Sequence, residues 1–275
     1  MLHTSNHIAL FSGGLASFEM TKRVVQSYGL GNVRIWFFDT LIEDEDLYRF
    51  IEDAENWLGI EIERFSDGRN PWEVFRDERF IGNSRVNLCT RVLKRELLER
   101  LLKKEYPSKN VELHFGLEDT EVSRIETATQ KWSSKGYRIS FPLQENPKLS
   151  SKQIRSTVEG IYKLELPRLY KMGFRHNNCG GACVKAGISQ WSWLWETFPE
   201  RYAWHENQEQ ITRDFLQKNV AILRDRNGRQ VRPLTLRELR SRLEESHELM
   251  MQFEYPIGLA TQSNAIVEGR NEPTE

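Results

Sequence analysis

The stretch His7-Ile8-Ala9-Leu10-Phe11-Ser12-Gly13-Gly14-Leu15-Ala16-Ser17 decides the fold. A short apolar run stops at a Ser-Gly-Gly turn, and the helical pattern of Ser17 to Tyr28 follows at once. Val33 to Thr40 (VRIWFFDT) is a second buried strand, Asp46 to Leu58 is helical, and Glu61 to Phe65 alternates. The order is βαβαβ. A fourth strand, Val111 to Leu117, follows a helix expected from about Arg85 to Tyr106, and Tyr137 to Leu143 reads as a fifth strand. Strands apolar on both faces and separated by helices predict a doubly wound parallel sheet, an α/β fold covered on two sides.

After Pro147 the texture changes. Ser150 to Leu164 is helical, Gly173 to Gly187 is rich in Gly, Asn and Cys, and Ser189 to Phe198 is a Trp-rich helix. Asn219 to Arg232 reads as a hairpin about Asn227-Gly228, and a helix from Leu236 to Glu245 has Thr235 as its N-cap. The expected division is an α/β domain over 1–146, a mostly helical Cys-containing region over 147–255, and a flexible tail over 256–275.

Composition excludes several classes. The 275 residues are 39% hydrophobic and 11% aromatic, enough for a sizeable core, so a largely disordered chain is ruled out. Lys and Arg number 39 against 40 for Asp and Glu, so no whole-chain field draws the protein to nucleic acid or membrane. No run approaches the roughly 18 apolar residues of a membrane span, Met1 to His7 lacks the regions of a signal peptide, and a cytoplasmic location is expected. Three cysteines make no disulfide framework; packing, metal binding and catalysis stay open.

In a doubly wound sheet ligands sit at the carboxyl ends of the strands. The turn Ser12, Gly13, Gly14 to Ser17 lies there, and its backbone amides, the helix N-terminus and two hydroxyls suit a phosphate. It is neither a Walker loop nor a dinucleotide fingerprint, and an ordinary glycine turn is the plain alternative. Asp39 and Thr40 end the second strand at the same edge, where an acid reaches a ribose hydroxyl or a metal.

With these residues the chain resembles the phosphoadenosine phosphosulfate reductase-like family of the adenine nucleotide alpha-hydrolase (PP-loop) superfamily. The resemblance rests on Ser12-Gly13-Gly14 with Ser17, on Asp39-Thr40 and Asp46-Leu47-Tyr48-Arg49-Phe50, on Cys89 to Lys94, on Gly116 to Arg124 and on Phe141-Pro142-Leu143. It implies a HUP-type sheet, ATP or a related adenine nucleotide with Mg2+, and cleavage between the α and β phosphates that adenylates a substrate for sulfur transfer. The resemblance also places Glu121 and Arg124 near the nucleotide; a capping role is the alternative. Leu15-Ala16 stands where many active loops carry a charged or polar pair, and Arg91, Lys94 and Arg95 on one helix face would compensate, unless that face is simply solvated.

Cysteines in relatives of this type hold a 4Fe-4S iron-sulfur cluster. Here Cys89, Cys179 and Cys183 are three thiols, with Thr90 at the position of a fourth, and His176 is a further candidate ligand. Three Cys and one His equally satisfy zinc. Packing is the alternative for Cys89, which shares a stripe with Leu93, Leu97 and Leu101. Convergence of the three cysteines is expected. His205 carries no signal of its own, and Trp191, Trp193 and Trp195 are read as packing over the cysteine loop.

From Arg213 to Arg242 nine basic residues face three acidic ones. This segment is either a nucleic-acid surface or a solvated appendage balanced by the acidic stretch Glu43 to Asp67. Two further functional readings stand beside the adenylating enzyme. One is a sulfonucleotide reductase, which the absence of any cysteine after Cys183 disfavours. The other is a nucleotide-binding accessory protein without turnover.

Overall fold

The computed structural model describes residues 6–226 and 230–254. In chain order the elements are β1 (His7–Phe11), α1 (Leu15–Tyr28), β2 (Val33–Asp39), α2 (Glu45–Leu58), β3 (Ile62–Ser66) and α3 (Pro71–Asp77). A π-helical segment, Thr90–Glu96, leads into α4 (Leu97–Glu105), then β4 (Glu112–Phe115), α5 (Val122–Ser133) and β5 (Arg138–Ser140). The helical part follows as α6 (Ser151–Gly160), α7 (Arg168–Lys171), α8 (Ile188–Thr197), α9 (Pro199–Leu216), β6 (Leu223–Asp225), β7 (Arg232–Leu234) and α10 (Leu236–Glu254).

Five strands form one parallel sheet in the order β3-β2-β1-β4-β5, with β1 at the centre. This is the doubly wound arrangement expected. The order reverses between β1 and β4, and the crevice outside their carboxyl ends is where such sheets take ligands. Alternation along β1 explains the two layers. Ala9 and Phe11 face a core shared with α1, α2 and α6, while Ile8 faces α4, Trp132 of α5 and Trp36.

Helix boundaries follow local chemistry. Asp44 caps α2 by accepting from the Asp46 N–H at 3.0 Å, and Gly59 ends it at φ 71°, a left-handed position glycine takes without strain. Asn70 and Glu73 form a reciprocal capping box behind Pro71 at the start of α3.

A third core gathers Trp72, Val74 and Phe75 of α3 and Cys89 with Trp191, Leu194, Tyr202, Leu234 and Leu236. Its polar interior is paired: the Trp72 indole N–H donates to His205 Nδ1 at 3.0 Å, and buried Glu209 accepts from the Ile222 and Leu236 N–H groups. Burial pushes His205 down to about 3 and Glu209 up to about 7. The cores therefore divide elsewhere than at residue 147. Helix α6, through Ile154 and Val158, belongs to the sheet, and α3 belongs with the C-terminal helices.

The helix expected from Arg85 to Tyr106 begins only at Leu88 and runs through the π-helical segment, and α3, α5, α7 and α9 are helices beyond those read from the sequence. β6 and β7 pair antiparallel as a hairpin; its turn at Asn227-Gly228 and the tail 256–275 lie outside the described residues. The Thr235 hydroxyl accepts from the Glu238 N–H at 3.1 Å, capping α10 as expected. Among the described residues no helix is long and apolar enough to cross a membrane.

Candidate functional site

The turn after β1 is stitched by its own serines. Ser17 Oγ accepts from the Ser12 N–H and the Ser12 hydroxyl, both at 3.1 Å, and donates to the Gly14 carbonyl at 2.7 Å. The hydroxyl of buried Ser17 is thus committed to the turn and does not point its proton at a ligand. Gly13 adopts φ +77°, and a Cβ there would lie 2.2 Å from Leu47 Cδ1. Gly14 adopts φ −96°, open to any residue, so the position that demands glycine is Gly13. Gly116, ending β4, lets that strand approach the start of α1: a Cβ would stand 3.0 Å from Ser17 Cα.

One side chain enters this turn from the helical part. The Tyr170 phenol oxygen is approached by the backbone N–H groups of both Leu15 and Asn177. It stands 3.4 Å from where a Gly14 Cβ would be. Tyr170 thereby joins the turn at the head of α1 to the cysteine loop, and burial pushes its phenol pKa up.

The segment after β2 anchors that loop from the other side. Asp39 accepts from the Leu41 N–H at 2.7 Å and from the Tyr48 hydroxyl at 2.9 Å. Buried Thr40 donates to Glu43 Oε1 at 2.9 Å, and Glu43 Oε2 accepts from the Cys179 N–H at 2.5 Å. Buried Asp44 takes Arg168 and Arg201, and Arg201 also donates to the Gly180 carbonyl at 2.7 Å. Cys179, Gly180 and Gly181 all have positive φ, and a Cβ on Gly181 would press on Phe174 at 2.7 Å. The glycines are therefore what lets the chain coil tightly around Cys179.

Cys89, Cys179 and Cys183 share one environment. Cys179 and Cys183 are hydrogen-bond partners through their thiols, Cys89 feels Cys183, and the Lys94 ammonium feels all three sulfurs and Glu43, 3.8 Å away. Charge and burial split the thiols. The Cys179 hydrogen bond, the Lys185 N–H and the Lys94 and Lys185 charges pull Cys183 below an ordinary thiol, while Cys179 and Cys89 are pushed up, Cys89 chiefly by burial. Lys94 itself is raised, Glu43 and the three sulfurs together outweighing its burial. The three sulfurs do not all lie within 4.8 Å of one another, and His176 completes no such set with two of them. His176 is lowered by burial. The neighbouring Asn177 side chain is 4% exposed, and neither its oxygen nor its nitrogen has a partner.

Other expected site residues separate. A π-helix does not keep i, i+3 and i+4 on one stripe. Arg91 turns outward to Glu78 at 2.6 Å, Arg95 reaches Asn87 with its Nε buried, and Lys94 turns toward Glu43 and the thiols. Glu121 pairs with Arg124 and accepts from the Glu118 N–H at 3.0 Å, a cap at the head of α5. Much of the basic segment is internally paired: Arg232 and Arg242 with Asp225 and Glu238, Arg240 with Glu206 and Glu244. Trp191 is buried, Trp195 packs on the third core, and Trp193 is 43% exposed.

Sequence reasoning singled out neither Glu43, inside an acidic run that reads as solvated, nor Tyr170. The one available signal for Glu43 was its place just after Asp39-Thr40. Tyr170 had none.

Comparison with known proteins adds little to this geometry. No family model matches the chain, and no curated protein matches it. Among solved structures, a phosphoadenylyl-sulfate (PAPS) reductase from Candida auris, determined as a phosphate complex, is similar at a TM-score of 0.43 and 15% identity, over 62% of this chain and 79% of that one.

Proposed function

We propose that this chain is an adenine-nucleotide enzyme of the PP-loop type, which cleaves ATP between the α and β phosphates to adenylate a substrate and handles sulfur at its thiols. The observation that carries the reading is Tyr170, whose oxygen is approached by an amide from the turn at the head of α1 and an amide from the cysteine loop, so that anion-binding and thiol chemistry adjoin. In this reading the phosphates lie against the backbone amides of the Ser12 to Ser17 turn, at the positive end of α1. Asp39 holds a ribose hydroxyl or Mg2+. An acceptor oxygen or nitrogen attacks the α phosphorus, the bond to the bridging oxygen breaks, and pyrophosphate leaves with its charge on the turn amides; Mg2+, where Asp39 would hold it, would add charge stabilisation. Lys94 serves the thiols instead of the phosphates.

What supports a soft metal at the thiols is their chemistry: three sulfurs interact with one ammonium, Lys94, although they do not all lie within 4.8 Å of one another. Cys89, Cys179 and Cys183 would hold a cluster, which would supply electron or sulfur handling, or a redox-inert zinc, which would fix the loop. Protein purified without oxygen and given Mg-ATP should release pyrophosphate, and Asp39→Asn should lose most of that release. ATP binding without any pyrophosphate would favour the accessory reading, which Leu15-Ala16 and the phenol already seated in the turn support. No ATP binding at all would overturn the assignment.

A further inference from the structure

The opposite end of the sheet carries a second group of donors. His7 opens β1 and pairs in register with Glu112 of β4; His114, two residues on, pairs with Ala9. Side chains two apart on a strand share a face, and register partners in a parallel pair do too. His7, Glu112 and His114 therefore all project toward α1. His7 Nδ1 lies 3.1 Å from His114 Nε2 and 3.6 Å from Glu112 Oε2, and the three donor atoms all fall within 4.8 Å of one another.

We propose that His7, His114 and Glu112 form a binding site for a divalent transition-metal ion of the zinc class, at the amino end of the sheet. Bonds of about 2.0–2.1 Å from imidazole nitrogen and carboxylate oxygen to one tetrahedral ion would put the donors roughly 3.3 Å apart. The two measured separations bracket that value. His114 is fully buried, and its other ring nitrogen lies 2.6 Å from Ser140 Oγ on β5, the outer hydrogen bond that fixes ring and tautomer in histidine-metal sites. His7 is held flat by Tyr28, stacked at 3.6 Å between ring centroids, at the C-terminal end of α1. That end of a helix favours a cation. The His7 and Glu112 side chains keep 15% and 19% of their surface, which leaves an approach for the ion and room for water as a fourth ligand. Arg138, in register beside Glu112, opposes the ion electrostatically.

Cobalt separates this site from the thiols. Titration of the full chain with Co2+ should give visible bands of a tetrahedral nitrogen and oxygen site, without the near-ultraviolet charge transfer of a thiolate ligand. Those bands should persist when Cys89, Cys179 and Cys183 are all replaced by Ser. His7→Asn and Glu112→Gln, both at partly exposed positions, should each weaken Co2+ and Zn2+ binding by at least about 10–100-fold, the loss typical of changing only an outer partner of a ligand, and remove the rise in Tm that Zn2+ gives the cysteine-free protein. Arg138→Gln, an exposed change that removes only the opposing charge, should tighten binding. The site is refuted if cobalt bands appear only with thiolate charge transfer and vanish with the cysteines. It is equally refuted if the cysteine-free protein binds no ion, or if affinity is unchanged in both ligand variants.

Discussion

In the turn from Ser12 to Ser17 both hydroxyls are answered within the turn itself, and the strained position is a glycine. The loop that meets it at Tyr170 is built the other way. It places a non-glycine, Cys179, at φ 52°, leaves the Asn177 side-chain amide unpartnered, and splits its two thiols, Cys183 lowered and Cys179 raised. A satisfied turn is a scaffold for binding. A loop held in an uncommon conformation by outside anchors, Glu43 and Arg201, stores the features that chemistry uses.

The sharpest way to break this comparison is at the glycines. Gly13→Ala adds a left-handed penalty of about 1–2 kcal/mol and overpacks Leu47 by about 1–3 kcal/mol, so urea denaturation should show a loss of several kcal/mol. Gly14→Ala, with ordinary φ and a tolerable contact to Tyr170, should cost under about 1 kcal/mol. Equal stability of the two variants would end the claim that the turn is strained at one point.

On the cysteine side, alkylation rates against pH should show Cys183 titrating below an ordinary thiol, with Cys89 and Cys179 above it. Cys183 therefore keeps reacting as pH falls, after the other two have stopped. Cys179→Ala removes the largest cause and should slow Cys183 labelling near neutral pH by about tenfold, one pKa unit or 1.4 kcal/mol. Lys94→Met removes a smaller cause and should slow it less. Identical pH profiles for all three cysteines would erase the distinction between the loops.

The smallest effect lies where the two meet. Tyr170→Phe frees the Leu15 amide for a ligand, and ATP or inorganic phosphate should bind about 2–10-fold tighter by equilibrium titration, the worth of one net hydrogen bond. Weaker binding would mean that the phenol donates to the ligand.

How much of this could be read beforehand depended on whether the deciding interaction was local. β1 and β2 stand where the apolar runs put them, to within a residue, because burial on both faces of a parallel sheet writes itself into continuous hydrophobic sequence. The Ser12 to Ser17 turn was also legible, from its motif. The basic face was not. A period of 3.6 puts Arg91, Lys94 and Arg95 together, but the π-helical widening between Thr90 and Glu96 leaves no periodic trace and sends Lys94 toward Glu43 and the thiols, away from Arg91. Glu43 hid among acids that look solvated, and His7 and His114 are brought together only by parallel register across 107 positions.

The interleaving of cores has a consequence for how the chain is made. Trp72 waits for His205, a partner 133 residues downstream, and its neighbours Val74 and Phe75 pack in the same late-completed core. During synthesis the sheet strands emerge early and in order, yet the burial of α3 is completed only when α8 and α9 have left the ribosome. Long-range closure of this kind is slow and leaves apolar surface exposed meanwhile. Cys89 belongs to that same core, and the Gly180 carbonyl is held by Arg201 of α9. The arrangement around the thiols is therefore completed only after α9 has been made, and a metal that they would hold could be loaded only after that.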